Sequence, residues 1–306
     1  MKKIIRSLLG YFGYDFIKVM PTPLSKKDRV VRVGKFDLVM PPYNPLILTY
    51  GQQKDFATEI SRITTTVLKK YPDLLFLDVG ANCGDTAARV KSVADIPVIS
   101  IEGDETTFRY LSQNVKQFSG VTALNQFLGE RDGSIQADLQ KKGWNTTIVP
   151  SENSGTPIGI KTLDRVLQEC APAAGKLKML KIDTEGFDTI ILRGAAEYIK
   201  AVKPVIFLEY NRDNMNAIQE NGLATIFDLE KSGYRKILFF DDKGRYILTT
   251  DLSNKALIRD LDNYANGKNG LIYYYNLCLF HAEDDDLALQ TAEGEWKFQG
   301  QPGLPS

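Results

Sequence analysis

Histidine and cysteine are scarce in this sequence, and their scarcity excludes several classes of site. The 306 residues include one histidine, His281, and three cysteines, Cys83, Cys170 and Cys278. None of the cysteines lies in a C-x-x-C or C-x-x-H spacing, and one imidazole is too few for most zinc sites. Three scattered cysteines are also too few for a disulfide framework. We therefore expect a reduced, cytoplasmic protein without a bound metal.

The chain also lacks net charge and long apolar runs. Its 38 lysines and arginines balance 38 aspartates and glutamates. A general nucleic-acid binder carries an excess of positive charge, so we expect no nucleic-acid partner. No stretch approaches the roughly 18 apolar residues of a membrane span. Residues 1–20 place apolar side chains at helical spacing beside basic ones, which favours a short helix docked on its own domain, with a membrane-surface helix as the alternative.

Apolar runs that alternate with helical periodicity predict a single α/β core over residues 74–282. Residues 1–73 form an accessory segment with a short helix, a hairpin over 28–40 and a helix over 52–70. Residues 283–306 are interpreted as a C-terminal tail. The predicted strands of the core cover residues 74–80, 97–103, 121–129, 134–139, 177–186, 203–211, 235–242 and 271–281.

The loop after the first predicted strand carries the strongest local signal. Its sequence, DVGANCGD, places Gly80 at a tight turn, where a ligand could touch the backbone, and Gly84 where the next helix must pack closely. Glu102 ends the second predicted strand, 22 residues after Gly80. An acid about 20 residues after such a turn is typical of ribose binding. A simple βα turn, with Glu102 capping the next helix, is the structural alternative.

Asn82 indicates which nucleoside ligand this loop suits. A dinucleotide fingerprint needs glycine at that position, so that the backbone can approach a pyrophosphate. A polar side chain there favours a ligand with an amino-acid end, which requires polar partners for its ammonium and carboxylate. S-adenosylmethionine has such an end and no phosphate.

Several sequence blocks together resemble the FkbM family of S-adenosylmethionine-dependent methyltransferases. They lie in order between residues 74 and 210 and read LDVGANCGDT, ISIEGDETTFRYLSQN, IKTLD, LKIDTEGFDTIILRGA and KPVIFLEY. The resemblance implies an α/β, Rossmann-like class I methyltransferase fold, with a mostly parallel seven-stranded sheet, helices on both faces and an antiparallel last strand. It also implies S-adenosylmethionine as cofactor and O-methylation of a hydroxyl on a carbohydrate, polyketide or related metabolite.

The resemblance also implies which residues bind the cofactor. Asp78, Gly80, Asn82 and Gly84 match the cofactor loop of the family, and Glu102 matches its ribose-binding acid. The partner would be a small-molecule or glycan acceptor. Residues 1–50 and the tail match nothing in the family pattern, so the acceptor stays undefined.

Acidic residues also follow the fourth and fifth long strands. Asp183 is assigned to the amino-acid end of the cofactor or to the incoming hydroxyl, and Glu185 to a general base or to substrate binding. Glu209 is the third candidate for catalysis. A carboxylate base would need burial to raise its pKa toward neutrality. Alternatively, these acids cap helices or pair with Lys181 or Arg193.

Other residues carry weaker signals. His281 follows a predicted strand and is either a base or a structural residue. Trp144, in a polar segment interpreted as a loop over 140–160, either stacks on a sugar or anchors the loop. Tyr273, Tyr274 and Tyr275 favour sheet packing.

Two rival functions remain open at this stage. A nicotinamide-dependent oxidoreductase would share the fold, although Asn82 in place of the fingerprint glycine counts against it. A non-catalytic member of the methyltransferase fold would bind the cofactor without turnover.

Overall fold

The computed structural model describes residues 27–53, 55–142, 145–150, 156–170, 177–267 and 272–300. The strands are β1 (Arg29–Val33), β2 (Phe36–Met40), β3 (Phe76–Val79), β4 (Val98–Glu102), β5 (Val121–Asn125), β6 (Phe127–Leu128), β7 (Gly133–Lys142), β8 (Asn145–Pro150), β9 (Thr156–Lys161), β10 (Met179–Ile182), β11 (Val205–Tyr210), β12 (Tyr234–Phe240), β13 (Tyr246–Asp251) and β14 (Tyr275–His281). The α-helices are α1 (Leu46–Gln52), α2 (Glu59–Lys70), α3 (Asp85–Lys91), α4 (Glu105–Asn114), α5 (Leu163–Cys170), α6 (Asp188–Arg193), α7 (Ala196–Val202), α8 (Arg212–Ala217), α9 (Gly222–Asp228), α10 (Lys255–Asn266) and α11 (Asp285–Phe298).

The central sheet has the order β13-β12-β14-β11-β10-β3-β4-β5. The pairs from β11 through β10, β3 and β4 to β5 are parallel, while β14 is antiparallel to both β11 and β12. This confirms the α/β, Rossmann-like class, with a mostly parallel sheet and an antiparallel last strand. The sheet has eight strands where seven were predicted, because the chain turns back after β12 and adds β13 as an antiparallel edge strand.

The buried strands of the central sheet carry apolar side chains on both faces of the sheet. Phe76 in β3 belongs to the core cluster that includes side chains of α2, α3, α4 and α11. Its neighbour Leu77 belongs to the opposite cluster, which includes side chains of α5, α6, α7, α9 and α10. Successive side chains of a strand point to opposite faces of the sheet. A strand that is mostly apolar is therefore packed against helices on both faces. The loops at the carboxyl ends of the parallel strands are thereby held on a rigid frame.

A second sheet replaces the loop predicted over residues 140–160. Its order is β6-β9-β7-β8, and β7 pairs antiparallel with β8 from Ala137 opposite Pro150 to Lys142 opposite Asn145. The loop prediction was therefore wrong. Glycine, asparagine and proline in this segment suggested a loop, but threonine, isoleucine and valine between them favour extended backbone.

Both ends of the described chain are built into the domain. The predicted helix over 52–70 is in fact α1 and α2, separated by a turn at Ala57, whose φ is +55°. The predicted tail contains α11, which packs on α2. There the guanidinium of Arg62 donates to both carboxylate oxygens of Glu295, at 2.8 and 2.7 Å. Helix α11 was not predicted because its sequence is largely polar and it buries only a narrow apolar face.

Two sequence predictions fall on residues that the structure does not describe. These are the docked or membrane-surface helix over 1–20 and the role of Trp144. In the described part of the chain, no helix combines the length and the apolar character required to cross a membrane.

Candidate active site

A cavity of about 540 Å³ lies at the carboxyl ends of the parallel strands. Ligands of open α/β sheets bind at this edge. Its lining includes most of the predicted site residues, namely Gly80, Asn82, Glu102, Asp183, Glu185 and Glu209. The remaining two, Asp78 and Gly84, lie behind the lining.

Gly80 joins the loop after β3 to the loop after β10. Its φ is +74°, and a Cβ added to it would lie 1.8 Å from the carbonyl oxygen of Asp183. Lys181 Nζ donates a hydrogen bond to the Gly80 carbonyl at 3.1 Å. The first atom that a side chain at this position would meet is protein backbone, which is a second reason for glycine here. That Gly80 also lets a ligand touch the backbone stays a prediction.

Gly84 and Asp78 lie behind the loop that follows β3. Gly84 has φ +90° at the start of α3, and an added Cβ would lie 3.2 Å from Leu111 Cδ1 of α4. The Asp78 carboxylate is fully buried, with its Oδ1 3.4 Å from Lys181 Nζ. Burial raises the pKa of Asp78 to about 6, against the opposing effect of the Lys181 charge. Gly84 therefore lets α3 pack closely on α4, and Asp78 pairs with Lys181, while their role in cofactor binding stays a prediction.

Glu102 is fixed at the rim of the cavity by two backbone N–H groups. Asn82 N donates to its Oε2 at 3.0 Å, and Asp104 N donates to its Oε1 at 2.9 Å. Burial raises the pKa of Glu102 to about 7, although both hydrogen bonds favour the ionised form. The helix cap of α4 is Asp104, which accepts from Thr107 N at 2.8 Å. The alternative in which Glu102 caps that helix is thus replaced by a carboxylate aligned beside the Asn82 turn.

The acids after β10 and β11 face the same cavity. Glu185 has φ +55°, and its Oε2 accepts a hydrogen bond from Asn214 Nδ2 at 2.6 Å. Burial, followed by repulsion from Asp183, raises the pKa of Glu185 to about 8. In Glu209, burial and the charges of Asp183 and Glu185 raise the pKa well above its ordinary value. Two carboxyl groups with raised pKa values therefore line the same cavity.

Asp183 differs from these two acids in its exposure. Its side chain is 44% exposed, and its Oδ2 lies 3.5 Å from Lys181 Nζ. Pairing with Lys181, one structural alternative for Asp183, is therefore present. Pairing with Arg193 is not found among the described residues, since Arg193 binds Glu130 and Glu220.

Asp188 was not singled out in the sequence, yet it shapes this loop. It is 1% exposed, and its two carboxylate oxygens accept from Thr184 N at 3.3 Å and from Gly186 N at 3.2 Å. Those two backbone groups flank Glu185. Asp188 therefore determines where the Glu185 carboxylate is presented.

We expect Asp188→Ala to lower the free energy of unfolding by about 2–3 kcal/mol, because it leaves two backbone donors without their acceptors. Asp188→Asn should cost less, since its amide oxygen can still accept one of the two bonds. Urea denaturation measures both. Asp95→Ala, at an exposed carboxylate, is the control and should leave the stability close to that of the wild type. Equal stability of Asp188→Ala and the wild type would contradict this role.

The accessory segment contributes residues that the sequence did not identify. The Tyr50 hydroxyl in α1 donates to Asp85 Oδ2 at 2.8 Å, and Asn44 Nδ2 donates to Asn82 Oδ1 at 3.2 Å. Asp85 belongs to the DVGANCGD block, so the motif could have indicated it. No sequence signal could have placed Tyr50 or Asn44 beside a loop more than thirty residues away.

The three tyrosines and the histidine near the C-terminus lie in different environments. Tyr275 is buried in the sheet, as predicted, but Tyr274 lines the cavity and Tyr273 is 75% exposed. His281 is the last residue of β14. Because β14 runs antiparallel to its neighbours, His281 lies beside Tyr234, at the ends of the strands away from the cavity. Its Nδ1 accepts from Glu283 N at 3.1 Å. The structural interpretation of His281 therefore accounts for its position.

Comparison with known proteins gives one family. The model of the methyltransferase FkbM domain matches residues 78–236, about half of the chain. Among curated protein sequences, none matches this chain. The chain is also similar to solved structures, at low identity.

Three such structures illustrate the similarity. A methyltransferase FkbM from Methylobacillus flagellatus KT is 20% identical over 45% of this chain, with a TM-score of 0.34, and the match spans only 33% of that protein. The METTL16 methyltransferase domain is 11% identical, with 81% of this chain and 74% of that one covered and a TM-score of 0.43. TYW2 from M. jannaschii, solved in complex with AdoMet, is 11% identical, with 87% and 91% covered and a TM-score of 0.40. Because the family model matches more than half of the chain, the chain belongs to the FkbM methyltransferase family.

Proposed function

We propose that this chain is an S-adenosylmethionine-dependent O-methyltransferase that acts on a hydroxyl of a carbohydrate, polyketide or related metabolite. The observation that carries the proposal is the Glu102 carboxylate, held by the N–H groups of Asn82 and Asp104 at the edge of the cavity. Two fixed donors orient a carboxylate for a pair of neighbouring hydroxyls, as a ribose presents. A small-molecule or glycan acceptor in the cytoplasm is part of the same proposal.

The cavity wall beside Glu102 suits an adenine ring. Ile101, Phe127 and Leu128 line it there. A Cβ added to Gly103 would lie 2.3 Å from Phe127 Cδ1, so the phenyl ring lies directly on the backbone next to Glu102. An apolar aromatic wall next to a carboxylate fits a nucleoside better than it fits a phosphate.

The opposite side of Glu102 suits an amino-acid end and a sulfonium. Asn82, Asp85 and Asp183 line the cavity there, and Lys181 lies beneath them. Carboxylates favour the ammonium and the sulfonium, while Lys181 and the polar backbone of the loop favour a carboxylate. The residues present therefore fit S-adenosylmethionine, which when bound would supply an electrophilic methyl group.

The chain's own residues would supply orientation and proton removal. A hydroxyl attacks more readily if a base accepts its proton as the new bond forms. Glu185 and Glu209 have raised pKa values and line the cavity beyond Asp183. A carboxylate whose pKa lies near the working pH combines a useful ionised fraction with strong basicity.

Glu102→Ala tests the ribose assignment. We expect it to weaken binding of S-adenosylhomocysteine by about 1–3 kcal/mol, because two ribose hydroxyls lose a charged acceptor. Isothermal titration calorimetry measures the change. Glu105→Ala, three residues away on an exposed side chain of α4, is the matched control and should leave the affinity unchanged.

Three other outcomes would redirect the assignment. Unchanged affinity in Glu102→Ala would remove the ribose role of this residue. Binding of NAD by the wild type, without binding of S-adenosylhomocysteine, would favour the oxidoreductase alternative over the proposal. Normal cofactor binding without methylation of any acceptor would favour a non-catalytic member of the fold.

A further inference from the structure

The end of the cavity away from Glu102 has a wall of its own. It is formed by the first residue of α2, the turn between β12 and β13, and the segment that enters β14. The wall residues are Glu59, Asp242, Gly244, Tyr274 and Asn276. None of them is used by the cofactor assignment above.

Glu59 is the unusual residue of this wall. It is 4% exposed, and its Oε2 has no hydrogen-bond partner in the described part of the chain. A Cβ added to Gly244 would lie 2.2 Å from that oxygen, so the β12–β13 turn closes directly over it. A buried carboxylate oxygen without a donor is costly, and a ligand that brings a donor would remove the cost.

A second oxygen on the same wall is in the same condition. Asp242 Oδ1 is buried and has no hydrogen-bond partner among the described residues. Tyr274 lies within electrostatic reach of both carboxylates and of Glu209, and burial together with these charges raises the pKa of its phenol. Two acceptor oxygens and an aromatic ring therefore converge on one end of the cavity.

The charges of the whole lining favour a cation over an anion. Eight carboxyl-bearing residues line the cavity: Glu59, Asp85, Glu102, Asp104, Asp183, Glu185, Glu209 and Asp242. Lys181 is the basic residue among the described lining residues. Burial raises the pKa of several of these carboxyl groups, and a positively charged ligand bound beside them would favour their ionised form. A phosphorylated acceptor would be repelled.

We propose that the acceptor carries a protonated amino group, which binds between Glu59 and Asp242 with Tyr274 beside it while a hydroxyl of the same molecule faces Glu185 and Glu209. An amino sugar is an acceptor of this class. The inference rests on the proposed function, since it assumes that the cofactor occupies the Glu102 end. An ammonium brings several donors and a positive charge, which match two unpaired carboxylate oxygens.

Binding of matched sugars tests the inference. The protein is saturated with S-adenosylhomocysteine at pH 7.0 and titrated with glucosamine, glucose and N-acetylglucosamine, with binding followed by NMR. We expect glucosamine to bind about tenfold more tightly than the two neutral sugars, as a charge-assisted hydrogen bond would give. In Glu59→Gln and in Asp242→Asn that preference should fall to within about threefold. Glu293→Gln, exposed on α11 and paired with Lys297, is the control and should keep it.

The outcomes separate this inference from the proposed function. Equal binding of the three sugars, no binding of any of them, or a preference that survives both Glu59→Gln and Asp242→Asn would overturn the amine assignment while S-adenosylhomocysteine still binds. Failure of the wild type to bind S-adenosylhomocysteine would overturn the proposed function, and this inference with it.

Discussion

Gly80→Ala should lower the free energy of unfolding by about 3–5 kcal/mol. The added methyl group would lie 1.8 Å from the carbonyl oxygen of Asp183 and 2.8 Å from its carbonyl carbon. Both are backbone atoms of a loop anchored by Asp188, so they cannot move aside as a flexible side chain would. The φ of +74° adds a strain of about 1–3 kcal/mol for any residue with a Cβ. Overpacking of this kind costs about as much again.

Chemical denaturation of Gly80→Ala and Gly294→Ala measures the effect against a matched control. Gly294 lies in α11, and an added Cβ there would meet nothing within 4 Å. Gly294→Ala should therefore raise stability by about 0.5–1 kcal/mol through helix propensity. A Gly80→Ala protein as stable as the wild type, with reduced affinity for S-adenosylhomocysteine, would instead support the ligand-approach explanation of this glycine.

The distinction matters because the sequence predicted Gly80 for ligand approach and gave no sign of its close contact with Asp183. A glycine after a buried strand indicates a tight turn, and local sequence carries that information. It does not indicate what the absent side chain would have met. The atom in question belongs to Asp183, a hundred residues later in the chain, and only the parallel pairing of β3 with β10 brings the two loops together.

The same limit explains which parts of the fold could be predicted. The β3, β4, β10 and β11 strands were visible because each lies in a mostly apolar run, as a strand buried on both faces requires. In the second sheet, β6 and β7 overlap the strands predicted over 121–129 and 134–139. Strands β8, β9 and β13 and helix α11 were not predicted, because polar residues interrupt the apolar pattern of their sequences.

The acids proposed to bind the acceptor could not be predicted for a third reason. Glu59 begins a helix before the first core strand, and Asp242 lies in a turn almost two hundred residues later. Each is an ordinary acid by local sequence, since helix starts and turns often carry one. What distinguishes them is that one oxygen of each is buried without a donor among the described residues, which is a property of the assembled structure.

Glu185→Gln should reduce methyl transfer by about 10²–10⁴-fold, the usual contribution of a general base. Its pKa of about 8 arises first from burial and second from repulsion by Asp183. Because the base must be deprotonated, kcat/KM of the wild type should rise as the pH increases through about 8. Asp183→Asn removes the charge that disfavours ionisation, so it should move this rise to lower pH whatever it does to the maximal rate. Glu185→Gln should lack the rise altogether.

Rate measurements between pH 6 and 9.5, with S-adenosylhomocysteine affinity determined for each variant, distinguish the two carboxyl groups. Glu209→Gln is the matched comparison, because Glu209 lines the same cavity and its pKa is raised well above the ordinary value by burial and by the same neighbours. We expect Glu185 to be the base, so Glu209→Gln should keep the pH-dependent rise. A wild-type profile in Glu185→Gln, together with a lost rise in Glu209→Gln, would transfer the role to Glu209. We expect the base to be Glu185, because its pKa, raised to about 8 by burial and then by the charge of Asp183, lies within the pH range of these measurements.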